Sequence, residues 1–120
     1  MMLKRRTHKK PRRFDPFSIR GHLAWVRGFE CAVSNCSTGH KIQSHHHKKE
    51  IPQEDKRGMS GAVHDKWAGP LCVEHHREVH DIGADSFDQK YGIKYLEIVE
   101  RLWAQSPHRI TYERRLMASA

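Results

Sequence analysis

Apolar residues fall into short, separate patterns along this chain. After the break at Phe14-Asp15-Pro16-Phe17, Ile19, Leu23 and Val26 recur at i, i+4 and i+7. That spacing predicts one apolar face of a helix, capped by Ser18 and running to about Arg27, with Gly28 as its stop. Trp25 and Val26 read as core. The stretch KIQSHHH, ending at His47, reads as a strand of weak alternation, and residues 48–64, charged and glycine-bearing, read as a loop. Trp67 to Leu71 is a second strand candidate, which Pro70 confines to an edge or a strand end. From Val73 to about Ile82 neither Gly nor Pro intervenes, so a helix of two to three turns is predicted there, stopped by Gly83. A last helix is predicted over Ile93 to Gln105, where Ile93, Leu96, Val99, Leu102 and Trp103 make the apolar stripe and Pro107 lies just beyond the end.

Length and composition narrow the picture. The 120 residues suit one domain without internal repeats, and 37% hydrophobic content permits only a modest core, to which a metal staple would add. Residues 1–14 read as a basic disordered arm, 15–106 as the folded domain, and 107–120 as a C-terminal tail. The arm holds Lys4, Arg5, Arg6, Lys9, Lys10, Arg12 and Arg13 and no acid, a block that repels itself until it meets an anion. With a net charge of +8 and an isoelectric point near 9.7, the chain favours polyanionic partners, nucleic acid first. An odd set of cysteines, Cys31, Cys36 and Cys72, fits a reduced compartment better than a disulfide framework. No apolar run approaches a membrane span and no signal-peptide core follows the basic N-terminus, so the expected location is the cytoplasm.

Eight of the eleven histidines lie between His40 and His80, with Cys72 among them and Cys31 and Cys36 shortly before. Cys31 and Cys36 form one close pair and Cys72 and His75 another. Two such pairs closing on one ion make a four-ligand, structural Zn²⁺ site. His76 and His80, at i and i+4 on a helix, project from one face and can share a second ion. His75 and His76 point about 100° apart, so they need not compete. Within the run His45-His46-His47, adjacent strand residues face opposite ways. One of these histidines can join His76 and His80 on a metal with open positions, while a neighbour acts on water as general base.

The stretch HLAWVRGFECAV, a further cysteine, SHHH and GPLCVEHHREVHD together resemble the HNH endonuclease superfamily, over about Gly21 to Ile93. Within it, the likeness is to a phage and prophage branch related to the recombination enhancement function nuclease. The resemblance implies an α+β, ββα-metal (HNH, treble-clef-like) fold with flanking helices and a structural zinc knuckle. It implies a metal-dependent enzyme that hydrolyses DNA phosphodiester bonds inside a bacterial host cell, with recombinase-coated DNA as a further partner. It makes His45, His76 and His80 the ligands of a catalytic Mg²⁺ or Mn²⁺, His46 the general base, and Cys31, Cys36, Cys72 and His75 the zinc ligands. A register one residue later, with His46 on the metal and His47 as base, is the alternative; the spacing from Cys36 favours the first. Lys48, Arg77 and the arm cations are candidates for phosphate contact. The chain departs from the family in two places. Its first cysteine pair is wider than the usual two-residue spacing, so the knuckle must bulge. The family's middle asparagine has no evident counterpart: Trp67 stands about where it would fall, and Asp65 is the candidate to brace the loop. The alternative function is a catalytically weak, zinc-stapled DNA-binding or recombinase-dependent accessory protein.

Overall fold

The computed structural model describes residues 14–34, 36, 41–58 and 61–119. The elements run α1 (Arg20–Val26), β1 (Ile42–His46), β2 (Lys56–Arg57), β3 (Ala62–Val63), β4 (Ala68–Cys72), α2 (Val73–Ile82), α3 (Ala84–Tyr91), α4 (Tyr95–Gln105) and α5 (His108–Ala118). Two short 3-10 turns, Gln53–Asp55 and Asp65–Trp67, lead into β2 and β4. The result is a small α+β protein with two two-stranded antiparallel sheets, β1 with β4 and β2 with β3.

The β1–β4 ribbon organises the rest. Its register sets Ile42 opposite Cys72, His45 opposite Gly69 and His46 opposite Ala68. All five residues of β4 are buried, because α2 and α4 pack against it while α1 also touches it. Pro70 cannot donate to a ladder, but its carbonyl is fully used. It accepts from the Ala32 amide at 3.1 Å and from the Tyr95 hydroxyl at 3.3 Å. Gly69 is required at its place: a Cβ there would sit 2.5 Å from the Tyr95 hydroxyl oxygen. Leu71, Val79, Phe87, Tyr95 and Val99, joined by Val33, form the core between the ribbon and helices α2, α3 and α4.

Several expectations change. The first helix begins at Arg20, with Ile19 as its capping residue and no side-chain cap, so Ser18 does not serve. The amide of Ile19 is instead held by Asp65 Oδ2 at 2.7 Å, from far along the chain. Residues 48–64 are not wholly loop, since they include a 3-10 turn and the β2–β3 pair. Trp67 belongs to the 3-10 turn before β4, where its indole N–H donates to Asp55. Gly83, at φ 88°, ends α2 and opens a further helix, α3, whose end is marked by Gly92 at φ 62°. The last apolar helix starts at Tyr95, not Ile93, with Asp88 accepting from the Tyr95 amide. The segment read as a tail forms α5, docked through Tyr112, whose hydroxyl donates to the Pro16 carbonyl at 2.9 Å. The arm, with Lys4, Arg5, Arg6, Lys9, Lys10, Arg12 and Arg13, lies outside the described residues apart from its last member, Phe14. Among the described residues no helix is long and apolar enough to cross a membrane.

Candidate functional site

The strand-to-helix junction at Cys72 builds the first cluster. Cys72 caps α2, its sulfur accepting from the His75 amide at 3.4 Å. That bond folds the first helical turn so that the His75 ring returns toward the cysteine. Cys31 comes in from the segment after α1, and its sulfur accepts from the Cys72 amide at 3.4 Å. The ligand atoms of Cys31, Cys36, Cys72 and His75 all lie within 4.8 Å of one another. His75 Nδ1 stands 3.4, 3.5 and 3.1 Å from the sulfurs of Cys31, Cys36 and Cys72, and the Cys36 and Cys72 sulfurs are 3.8 Å apart. Zinc bonds of ordinary length would make a tetrahedron with edges of about 3.8 Å between sulfurs and about 3.6 Å between sulfur and nitrogen. The donor set and its spacing therefore fit a metal such as zinc. Burial pushes the Cys31 thiol up to about 11, against hydrogen bonds from the Cys72 and Val33 amides that favour the thiolate, so ligation as thiolate would release a proton. The His75 ring is wedged edge-on against Tyr91, at 5.1 Å between centroids.

A second cluster lies on another face of α2. His45 faces it from β1, and its ring centroid is 5.0 Å from that of His76 and 5.4 Å from that of His80. Ligand atoms of the three histidines also lie within 4.8 Å of one another. His45 is buried, His76 half-buried and His80 exposed, so the cluster opens to solvent on one side. Burial, reinforced by like charge on His76 and His80, pushes the His45 pKa down to about 3, and burial also lowers that of His76. Both rings are therefore neutral near pH 7, the form that ligates. His45 Nδ1 is buried without a hydrogen-bond partner, an unfavourable state that a bound cation at the cluster would relieve directly or by reorienting the ring. At His76, Nδ1 lies 2.7 Å from Gln43 Oε1, which fixes the proton on Nδ1 and leaves Nε2 as the donor atom. These three imidazoles fit a divalent ion with open coordination positions.

His46, the next residue on β1, faces the opposite way. Its Nε2 lies 2.8 Å from Asp65 Oδ1, while Oδ2 of the same carboxylate takes the Ile19 amide. Asp65 is buried, and its own amide donates to the Phe17 carbonyl at 2.9 Å, so the brace is itself held. His47 follows His45 in facing direction but packs toward Tyr95, 6.0 Å between centroids. The geometry thus brings His45, and neither His46 nor His47, against His76 and His80. A cavity of about 150 Å³ is shared by His45, His46, Lys48 and His80. Lys48 and Arg77 are both exposed.

Gln43 and Tyr95 were not singled out by sequence reasoning. The signal for Gln43 is its place two residues before His45, hence on the same strand face. Tyr95 lies 5.3 Å from the His45 ring and supports it from beneath, but its spacing reads as ordinary core.

Fold and clusters define a small α+β protein that presents one cysteine-histidine centre and one all-histidine centre on different faces of a single helix. The chain belongs to the family described as protein of unknown function (DUF968), whose model matches residues 7–106. No curated protein and no solved structure matches it.

Proposed function

We propose that this chain is a metal-dependent endonuclease of the HNH type, hydrolysing DNA phosphodiester bonds in phage or prophage recombination or DNA processing. The observation that carries the reading is the cluster of His45, His76 and His80, open to solvent, next to a His46 held by a buried carboxylate. The antiparallel β1–β4 ribbon leading into α2 supports it, as the arrangement expected of a ββα-metal site. His45, His76 and His80 would hold Mg²⁺ or Mn²⁺, with Gln43 orienting His76. When bound, the ion supplies charge stabilisation at the scissile phosphate and the departing oxygen. Zinc at Cys31, Cys36, Cys72 and His75 is structural and fixes the start of α2.

His46 is the general base. Asp65 engages its Nε2, so that nitrogen carries the proton and Nδ1 keeps the lone pair that takes a proton from water. The carboxylate also stabilises the imidazolium that results, as the orienting acid does in a nucleophile–histidine–carboxylate triad. Asp65 thereby takes over the bracing role for which the family uses asparagine. Lys48, beside the cavity, and Arg77, on the exposed side of α2, contact phosphate.

The test is nicking of supercoiled plasmid by protein that retains its structural zinc, with Mg²⁺ or Mn²⁺ added. Wild type is expected to convert the plasmid to open circles, and His46→Ala to lose this by 10²-fold or more while still binding DNA. Equal cutting by both proteins would remove His46 from the reaction. Binding without cutting by wild type would give way to the accessory reading, for which the discriminating addition is a recombinase filament on the DNA.

A further inference from the structure

A second cavity lies away from both metal-ligand clusters. It is a groove of about 650 Å³ between α1 and α5, with Phe14, Ile19, Arg20, His108, Tyr112 and Arg115 on its walls. The two helices approach closely because α1 has Gly21 at the crossing. A Cβ there would lie 2.5 Å from the His108 ring.

The charge on the groove walls is positive and uncompensated. Asp15 lines it, but its carboxylate is taken by the fork of Arg57, which holds it below the usual carboxylate range. Among the described residues neither Arg20 nor Arg115 has a carboxylate partner. The Arg115 guanidinium rests 4.7 Å over the Phe14 ring, which holds it at the groove wall. Unpaired arginines beside aromatic faces are what a phosphodiester backbone selects, by exchange of its counterions for fixed cations.

Two continuities link the groove to the rest of the molecule. Phe14 is a wall residue, and the thirteen residues that precede it in sequence carry seven Lys or Arg. At the inner end, Ile19 is a wall residue whose amide is bonded to Asp65 Oδ2, and Oδ1 of that carboxylate holds His46. One carboxylate therefore separates the groove from the general base.

We propose that the α1–α5 groove, through Arg20 and Arg115, is a binding site for the phosphodiester backbone of DNA, which it anchors beside His46. The choice of DNA rests on the nuclease reading. The groove lies outside the clusters that would hold the reacting metal, and α5 serves here as a substrate anchor.

The test measures binding of a short fluorescein-labelled DNA duplex by anisotropy over a range of KCl, without added Mg²⁺, so that no strand is cut. Compared are wild type, the double variant Arg20→Ala/Arg115→Ala, and Lys94→Ala/Arg101→Ala. The last removes the same charge from exposed residues that do not line the groove. The groove variant is expected to bind about tenfold or more weakly, and its slope of log affinity against log salt to fall by roughly 2, about 0.9 for each lost phosphate contact. The control variant is expected to stay within about twofold, on the general-field argument. An unchanged slope in the groove variant, or an equal loss in the control, overturns the proposal. Circular dichroism establishes that both variants are folded, and Arg20→Lys/Arg115→Lys, keeping the charge, should recover most of the slope. Plasmid nicking is read separately. Wild type that binds through the groove but does not nick defeats the nuclease reading alone, and nicking with an unaltered salt slope in the groove variant defeats the groove alone.

Discussion

A histidine ring whose second nitrogen is hydrogen-bonded is fixed in tautomer and orientation. In this protein two short polar bonds do the holding. Gln43 fixes His76, so Gln43→Ala is expected to leave the fold intact while weakening divalent-ion affinity at the histidine cluster 10- to 100-fold, roughly the usual cost of losing such a partner. Calorimetric titration with Mn²⁺ checks this, and an unchanged affinity would remove Gln43 from the site. A third histidine lies outside both clusters, with one ring nitrogen held. His22 is fully buried, its Nδ1 2.8 Å from Ser106 Oγ, its ring stacked on Trp25 and edge-on to Trp103. Burial, with like charge on His108, pushes its pKa from 6.5 down to about 4. The unfolded chain therefore takes up this proton first as the pH falls, and His22 stabilises the fold fully only above about 6.5. That stability, of the order of 3 kcal/mol, is lost as the pH drops from about 6.5 to about 4, and the loss stops below. Urea denaturation across this window should show a shallower fall for His22→Gln than for wild type; parallel curves would refute the assignment. At this scale the sequence was informative where spacing carries direction. The i, i+4 pair His76 and His80 and the consecutive His75 and His76 could be placed from helix geometry. The bonds of Gln43 and Asp65 could not, because each joins residues far apart in the chain.

Among the elements, β4 is the most constrained. Its partner across the ladder from Gly69 is His45, and Tyr95 from α4 fills the space that a side chain on Gly69 would need. Gly69→Ala forces the buried Tyr95 ring away from both the Pro70 carbonyl and His45. A destabilisation of about 1–3 kcal/mol is expected by chemical denaturation, the usual cost of overpacking, together with weaker ion binding at the histidine cluster. The elements legible in advance were those with a pattern of their own. β1, α2 and α4 show alternation, an uninterrupted polar run with a glycine stop, or an apolar stripe. Helices α3 and α5 lack such patterns. In α3 only Phe87 and Tyr91 face the core between two glycines, and α5 buries no residue fully and is docked mainly through Tyr112 and His108. Each becomes a helix through what it docks on. The two-residue strands β2 and β3 are likewise too short for any periodicity to register.

For the molecule as a whole, the core is small and the cysteine-histidine centre ties three distant segments to it. Cys31 follows α1, Cys36 precedes β1, and Cys72 and His75 join β4 to α2. Removing a metal from that centre is expected to lower the melting temperature by well over 10 °C or to unfold the chain, since such sites supply roughly 10 kcal/mol or more of apparent binding energy to folding. Thermal melts with and without a strong chelator, followed by Zn²⁺ addition, test this. Cys36→Ser should copy the chelated protein and resist rescue, whereas a melt indifferent to both treatments would leave the four residues as an ordinary buried cluster. The family match over residues 7–106 stops at the end of α4, just short of α5. The groove that α5 completes is therefore built partly from sequence beyond that match.

Helix α2 carries consecutive residues, His75 and His76, into different centres, with Cys72 before them and His80 after. The helix can rotate or slide only as one body. If both centres hold ions, one that fixes the first turn also constrains the directions of His76 and His80, and by reciprocity each occupancy is expected to favour the other by the same factor. Loading should therefore be ordered and cooperative. Stepwise Co²⁺ titration, in which thiolate-bound and imidazole-bound ions absorb differently, would show filling of the second centre several-fold tightened by the first, and Cys36→Ser would abolish that tightening though none of the second centre's ligands had changed.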